Sequence, residues 1–396
     1  MLTAAPLPPP SAEEAAHVAR VSHALREEIA AAGGWLPFSK FMETALYAPG
    51  LGYYVTPRPI FGADGDFVTA PELSPLFAAC VGQGLADLLA RADGGDVVEF
   101  GAGSGRLAAD VFAGLLRRGA PVVRYRIVEP SPALAARQRE YLARSPATAD
   151  HLDRFEWLAA PPREPWQGVS FANEVVDALP VDLFRVRAGG CEAVGVVAAA
   201  EGFSLAPRPA GMALADAVEQ LQRRLPSPMP EGFVSELRLG QREWLASASA
   251  SLTRGALLLV DYGLPRAQYY HPSRDGGTLC AFRQHRRVED VLAHPGIQDL
   301  TAWVDFSALA EDAHAAGLEL GGFATQAHYL LSVGIERELE GLVGAAGERE
   351  GRALRQSAAT LLLPGEMGER FKVMALTREI RGPFDGFGFR DFSASL

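Results

Sequence analysis

The 396-residue chain has only three cysteines, Cys80, Cys191 and Cys280, and none forms a C-x-x-C pair. Thiols so few and so scattered exclude a disulfide framework, suit a reducing compartment and offer no metal knot. Eight histidines show no H-E-x-x-H or comparable ligand spacing, so no metal centre is expected. Positive charge is also in deficit: 37 Lys and Arg stand against 48 Asp and Glu, a formal net charge of −11. A surface of that sign repels phosphate backbones, which argues against nucleic acid as a partner. It suits a cationic partner, or serves solubility alone. No apolar run reaches the roughly 18 residues that span a bilayer, so no membrane association is expected. The first 30 residues carry Pro6, Pro8, Pro9, Pro10 and four glutamates. That composition matches neither a signal peptide nor an acid-poor transit peptide, and a cytoplasmic location is the resulting expectation.

What is present is an apolar fraction of 48% with 21% charged residues, the balance of a globular core. Helical patterns run over 13–32, from Pro37 to about Tyr47, and over 74–90. Between them, residues 47–67 are dense in Gly, Pro and aromatics, the composition of a structured loop. After Gly94-Gly95 the rhythm changes. V-V-E-F at 97–100, Y-R-I-V-E at 125–129, F-E-W-L at 155–158 and G-V-S-F-A-N at 168–173 read as strands with helical stretches between. G-A-L-L-L-V-D-Y-G at 255–263, L-E-L-G-G-F at 318–323 and F-K-V-M-A-L-T at 371–377 complete a set of seven. Strands that alternate with helices imply a parallel sheet. Residues 181–250 interrupt that rhythm with short antiparallel patterns and two helices, 264–304 read as irregular, and 326–360 as helical.

E-F-G-A-G-S-G-R-L at 99–107 sits where the first of these strands turns into a helix. Glycines there let a ligand approach the backbone, and a helix N-terminus offers N–H groups to an anion. The dinucleotide pattern G-x-G-x-x-G fails, because Arg106 occupies its sixth position. G-x-G-x-G after an acid is instead the habit of class I S-adenosylmethionine (SAM) methyltransferases. Gly101, Ala102, Gly103 and Gly105 are the candidate cofactor loop. Glu129, ending the second strand, is placed to accept both ribose hydroxyls. Glu99 either contacts the cofactor amine or is satisfied by nearby backbone N–H groups.

From here the chain resembles a known family, the MidA-type methyltransferases, which include mitochondrial complex I assembly-factor protein-arginine methyltransferases. The matching stretches are G-D-F-V-T-A-P-E-L-S-P-L-F at 65–77, V-E-F-G-A-G-S-G at 98–105 and N-E-V-V-D-A-L-P-V at 173–181. V-D-Y-G at 260–263, P-G-I-Q-D-L-T-A-W-V-D-F at 295–306 and E-M-G-E-R-F-K-V at 366–373 extend the likeness over most of the chain. The resemblance implies an α/β class I SAM-methyltransferase (Rossmann-like) fold. Its elements would be a seven-stranded sheet, an N-terminal helical lid and family-specific insertions. The expected organisation is a disordered arm at 1–12, a helical lid region at 13–92, and a SAM-binding half at 93–180. A substrate-binding insertion at 181–254 and a C-terminal half of the core at 255–396 follow. The resemblance also implies SAM as cofactor and methyl transfer to an arginine of a partner protein, such as a respiratory complex I subunit. Two other functions fit the residues: a non-catalytic SAM-binding assembly factor, and a small-molecule O- or N-methyltransferase.

The acceptor chemistry is expected at F-A-N-E-V-V-D-A-L-P-V, residues 171–181, because ligands of open α/β sheets sit beyond the carboxyl ends of the strands. Guanidinium is a poor nucleophile with a pKa above about 12, and carboxylates can pin its planar fork and polarise one nitrogen. Glu174 and Asp177 are the candidate acids, Asn173 a cofactor contact beside them. Asp177 either joins Glu174 or caps the turn before Pro180. Glu236 is a second substrate acid or a surface helix partner. Asp261 and Tyr262 end the fifth strand, where the ring walls the pocket or simply packs. Thr69, with Glu72, is expected to close over the cofactor.

Overall fold

The computed structural model describes residues 8–56, 70 and 74–396. The expected cofactor contacts Thr69 and Glu72 lie outside them. The chain divides into two compact units, Met1–Phe67 with Ala178–Gly240 and Tyr270–Ala302, and Val68–Asp177 with Gln241–Tyr269 and Trp303–Leu396.

The second unit is built on one sheet. Its strands are β1 (Gly95–Phe100), β2 (Val122–Val128), β3 (Phe155–Leu158), β4 (Trp166–Asn173), β5 (Leu252–Leu264), β6 (Glu319–Thr325) and β7 (Phe371–Arg378). They lie in the order β6-β7-β5-β4-β1-β2-β3, and the two-residue strand Val304–Asp305 pairs with β5 off this path. Pairing is parallel from β5 through β4 and β1 to β3, and antiparallel around β7. The order reverses between β1 and β4, so the carboxyl ends of those strands flank a switch point where a ligand can sit. β1 is buried along its whole length, as expected of a strand covered on both faces.

Three glycines draw the central strands together at their other end. A Cβ on Gly95 would lie 2.1 Å from the Gln167 carbonyl oxygen, one on Gly168 2.1 Å from that of Asp96, and one on Gly255 1.7 Å from that of Gly168. No larger residue fits any of them.

Three of this unit's helices alternate with the first strands of the sheet. α1 (Pro75–Arg91) begins with Ser74 accepting the Leu76 N–H at 3.0 Å and with proline at its first position, a favourable start for a helix. α2 (Arg106–Arg117) buries Leu107, Val111 and Leu115 on one face and leaves Leu116 partly exposed. α3 (Pro132–Arg144) starts on Ser131, whose hydroxyl accepts the Leu134 N–H at 3.3 Å. Phe112, Tyr125 and Phe155 meet in the core, the ring of Phe155 being 4.7 Å from Phe112 and 5.1 Å from Tyr125.

The first unit carries the helices Ala12–Ala31 and Phe38–Tyr47 and an antiparallel sheet of five strands. A capping box of Ser11 and Glu14 opens the longer helix. Residues 280–301, which read as irregular, hold a further three-stranded sheet of Cys280–Arg283, Arg286–Val288 and Asp299–Thr301. Its hairpin turns at Gln284 and His285, with φ of 50° and 60°. Such a turn is ordinarily announced by Asn-Gly or Asp-Gly, and that signal is absent. Arg283 beside it is 1% exposed, donating to Glu14 at 3.2 Å and to the Pro8 carbonyl at 3.1 Å.

Candidate active site

The loop from β1 to α2 reverses the chain through Gly101, Gly103 and Gly105, with φ of 66°, 53° and 85°. All three lie in the left-handed region that glycine enters at no steric cost. Gly105 serves as the N-cap of α2 and has no side chain to cap it, and the Ser104 hydroxyl accepts the first helical N–H, that of Arg106, at 3.3 Å. A Cβ on Gly101 would come within 3.0 Å of Val175 Cγ2. Ala102 between the glycines is buried.

Glu99, two residues before the loop, is 1% exposed and accepts the Tyr125 hydroxyl at 2.7 Å. Its partner is thus a phenol, where the sequence offered a backbone N–H. Burial pushes the carboxyl up to about 8 against the small opposing effect of that hydrogen bond. The buried Tyr125 phenol is driven well above its usual range, by burial and then by the acid beside it.

Glu129 follows β2 and is held at both oxygens. One accepts the Ser131 N–H at 2.9 Å and the other the Gln138 side-chain amide at 3.0 Å. Burial raises its carboxyl above the usual value, and these two bonds partly offset the effect. Gln138 also donates to the Gly103 carbonyl at 3.1 Å and accepts the Trp157 indole N–H at 3.1 Å. One fully buried amide therefore ties the glycine loop, the acid after β2 and the end of β3 into one frame. Sequence reasoning passed Gln138 over. The available signal was a polar residue on the buried stripe of α3, in step with Leu134 and Leu142.

The acidic turn begins where β4 ends. Glu174 is one of the few non-glycine residues at positive φ, 53°. A glutamate there is sterically disfavoured and persists only when its surroundings dictate it. Its N–H donates to the Val260 carbonyl at 2.9 Å, and its carboxylate accepts the Asn173 amide at 3.2 Å. Asp177 is 4% exposed and accepts the Tyr262 hydroxyl, and Asp261 accepts the N–H groups of Val176 and Asp177 at 3.0 and 3.1 Å. Tyr262 packs edge-on against Phe371 at 5.3 Å.

Glu236 belongs to the other unit. It lies on the strand Val234–Leu237, not on a surface helix, and is 2% exposed. Its carboxylate accepts both the N–H and the hydroxyl of Thr278, at 2.9 and 2.7 Å. Among the described residues no cluster of His, Cys, Asp or Glu is arranged to hold a metal.

The arrangement fits SAM. The left-handed glycines bare the loop backbone to a ligand, while the Gly101 and Gly105 N–H groups donate to the Val128 and Ala102 carbonyls at 3.2 and 2.8 Å. Glu129, fixed by donors at both oxygens, keeps lone pairs for ribose hydroxyls. Strand order, switch point and glycine loop define a class I SAM-dependent methyltransferase.

Residues 80–324 match the family described as "Putative S-adenosyl-L-methionine-dependent methyltransferase". The chain belongs to that family, and SAM is its cofactor. It is 31% identical to human "Protein arginine methyltransferase NDUFAF7, mitochondrial", covering 87% of this chain and 80% of that protein. A Drosophila melanogaster homologue of the same name is 29% identical, over 93% of this chain and 88% of its own. A crystal structure from Burkholderia thailandensis, bound to S-adenosyl-homocysteine, superposes with a TM-score of 0.90 at 39% identity. It covers 99% of this chain and 100% of that one.

These relatives correct one expectation. The curated proteins are named as mitochondrial, which overturns the cytoplasmic location. That expectation rested on the lack of a targeting composition in the first residues, and such a lack carries no address.

Proposed function

We propose that this chain methylates a guanidinium nitrogen of an arginine on a partner protein, with Glu174 as the anchor of the acceptor. The observation that carries the reading is the left-handed Glu174 at the carboxyl end of β4. Backbone strain of this kind collects at functional sites, because folding alone gives no reason to keep it.

SAM supplies an electrophilic methyl on a sulfonium when bound. Gly101, Ala102, Gly103 and Gly105 receive its carboxylate end, Glu129 its ribose, and Glu99 and Asn173 complete the shell. Glu174 accepts N–H bonds from the planar fork, each worth about 1.5–3 kcal/mol because an ionised group takes part. That contact orients one nitrogen for in-line attack and favours its loss of a proton. Asp177 adds negative charge to the same turn. The names of the curated relatives support arginine as the acceptor. The likeness to complex I assembly-factor methyltransferases supports a respiratory complex I subunit as the partner.

The test is transfer of label from radioactive SAM to lysate protein, followed by acid hydrolysis and chromatography. Label in methylarginine supports the reading; label confined to small molecules, or to another amino acid, refutes it.

A further inference from the structure

β5 outruns the strand beside it. Its last residue paired with β4 is Val260, opposite Asn173, yet it continues through Asp261 and Tyr262 to Leu264. β7 supports the overhang from the other side, with Lys372 opposite Asp261 and Phe371 opposite Tyr262. The result is a rigid rail along residues 174–177, and successive rail residues grip that turn at different atoms. The Val260 carbonyl takes the Glu174 N–H at 2.9 Å. Asp261 Oδ2 takes the N–H groups of Val176 and Asp177 at 3.0 and 3.1 Å, while Oδ1 takes the Tyr262 N–H at 2.9 Å. The Tyr262 hydroxyl then donates to the Asp177 carboxylate.

Consecutive N–H groups converging on one point form a nest for an anion, and here the anion is the chain's own. Asp261 is 1% exposed, so both of its oxygens are spent on fixing backbone. A turn gripped at 174, 176 and 177 has no freedom to relax the left-handed residue that it carries.

We propose that Asp261 and Tyr262 are positioning residues for methyl transfer, holding the 174–177 turn in the shape that presents the Glu174 carboxylate. The inference rests on the reading of Glu174 as the acceptor's anchor. It assigns Asp177 to the frame: its carboxylate receives Tyr262 and acts on the acceptor only through the turn. Misplacing a positioned group by about 1 Å costs on the order of 100-fold in rate, which sets the size of the effect.

The test uses the full chain, tritiated SAM, and total protein from cells lacking this enzyme as the acceptor pool. Tyr262→Phe, Asp177→Asn and Asp261→Asn are compared with Glu174→Gln. Tyr262→Phe and Asp177→Asn should each lower the maximal rate roughly 100-fold, and more acceptor should not restore it. Their combination should fall no further than either alone, with SAM affinity within about twofold of the parent. Asp261→Asn should lower the rate similarly and speed hydrogen exchange at the N–H groups of Val176 and Asp177. If Glu174→Gln is inactive while Tyr262→Phe and Asp261→Asn keep the parent rate, the positioning role is overturned and Glu174 stands. If Glu174→Gln keeps the full rate, the anchor reading falls and this inference with it. Should Asp261→Asn fail to fold, Tyr262→Phe decides, since it removes one hydroxyl from a half-buried ring.

Discussion

Glu99→Gln should make the stability of the protein less sensitive to pH, in a direction set by burial. The carboxyl is raised from 4.5 to about 8 in the folded chain, with desolvation as the largest cause. Below about pH 4.5 the folded and unfolded chains both hold the proton, and the group's full contribution to stability is present. Between there and about 8 the folded chain keeps a proton that the unfolded chain has released. Stability therefore falls as pH rises through this window, and the loss is complete above the folded value. At about 1.36 kcal/mol for each tenfold change, the loss is on the order of 5 kcal/mol. Gln at 99 removes the titration and leaves an amide to meet the Tyr125 hydroxyl. Guanidinium unfolding without SAM, from about pH 5 to about pH 9, isolates the effect, because the other titrating groups cancel between parent and variant. The parent should lose several kcal/mol relative to Glu99→Gln across that range. A constant difference between the two would refute the reasoning and show Glu99 ionised throughout.

Gln138→Leu should weaken SAM binding about tenfold and cost about 2–4 kcal/mol of stability, because three hydrogen bonds go unmade, one of them to a carboxylate; calorimetry and a denaturant titration measure both. Gly101→Ala places a methyl 3.0 Å from Val175 Cγ2 at a φ of 66°, and a loss of SAM affinity together with a lower melting temperature is the expected result. Gly255→Ala drives a Cβ to within 1.7 Å of the Gly168 carbonyl, so the variant should not fold, as judged by near-ultraviolet circular dichroism.

The sheet was legible in the sequence because its strands obey local rules. β1 is a short apolar run between glycines, β5 is centred on the apolar run between Gly255 and Gly263 though it extends beyond both, and β3 falls on F-E-W-L at its expected limits. The places of the glycine loop after β1 and of Glu129 after β2 were legible for the same reason: strand, turn, helix and acid follow in order along the chain. What escaped was decided by partners distant in sequence. Gln138 looks like an ordinary helix residue until α3 folds it over Glu129 and Gly103. Asp177 has nothing nearby to reveal that its carboxylate meets Tyr262, eighty-five positions on. The hairpin at Gln284-His285 lacks the glycine by which such turns are recognised.

Glu174 can be tested most directly by measuring SAM affinity and methyl-transfer rate on one preparation of Glu174→Gln. Gln keeps the size of the side chain and its bond to Asn173 but removes the charge that we propose grips a guanidinium. The rate to protein arginine should fall by several orders of magnitude while SAM affinity stays within about twofold of the parent. Equal loss of both, or an unchanged rate, would contradict Glu174 as the anchor of the acceptor.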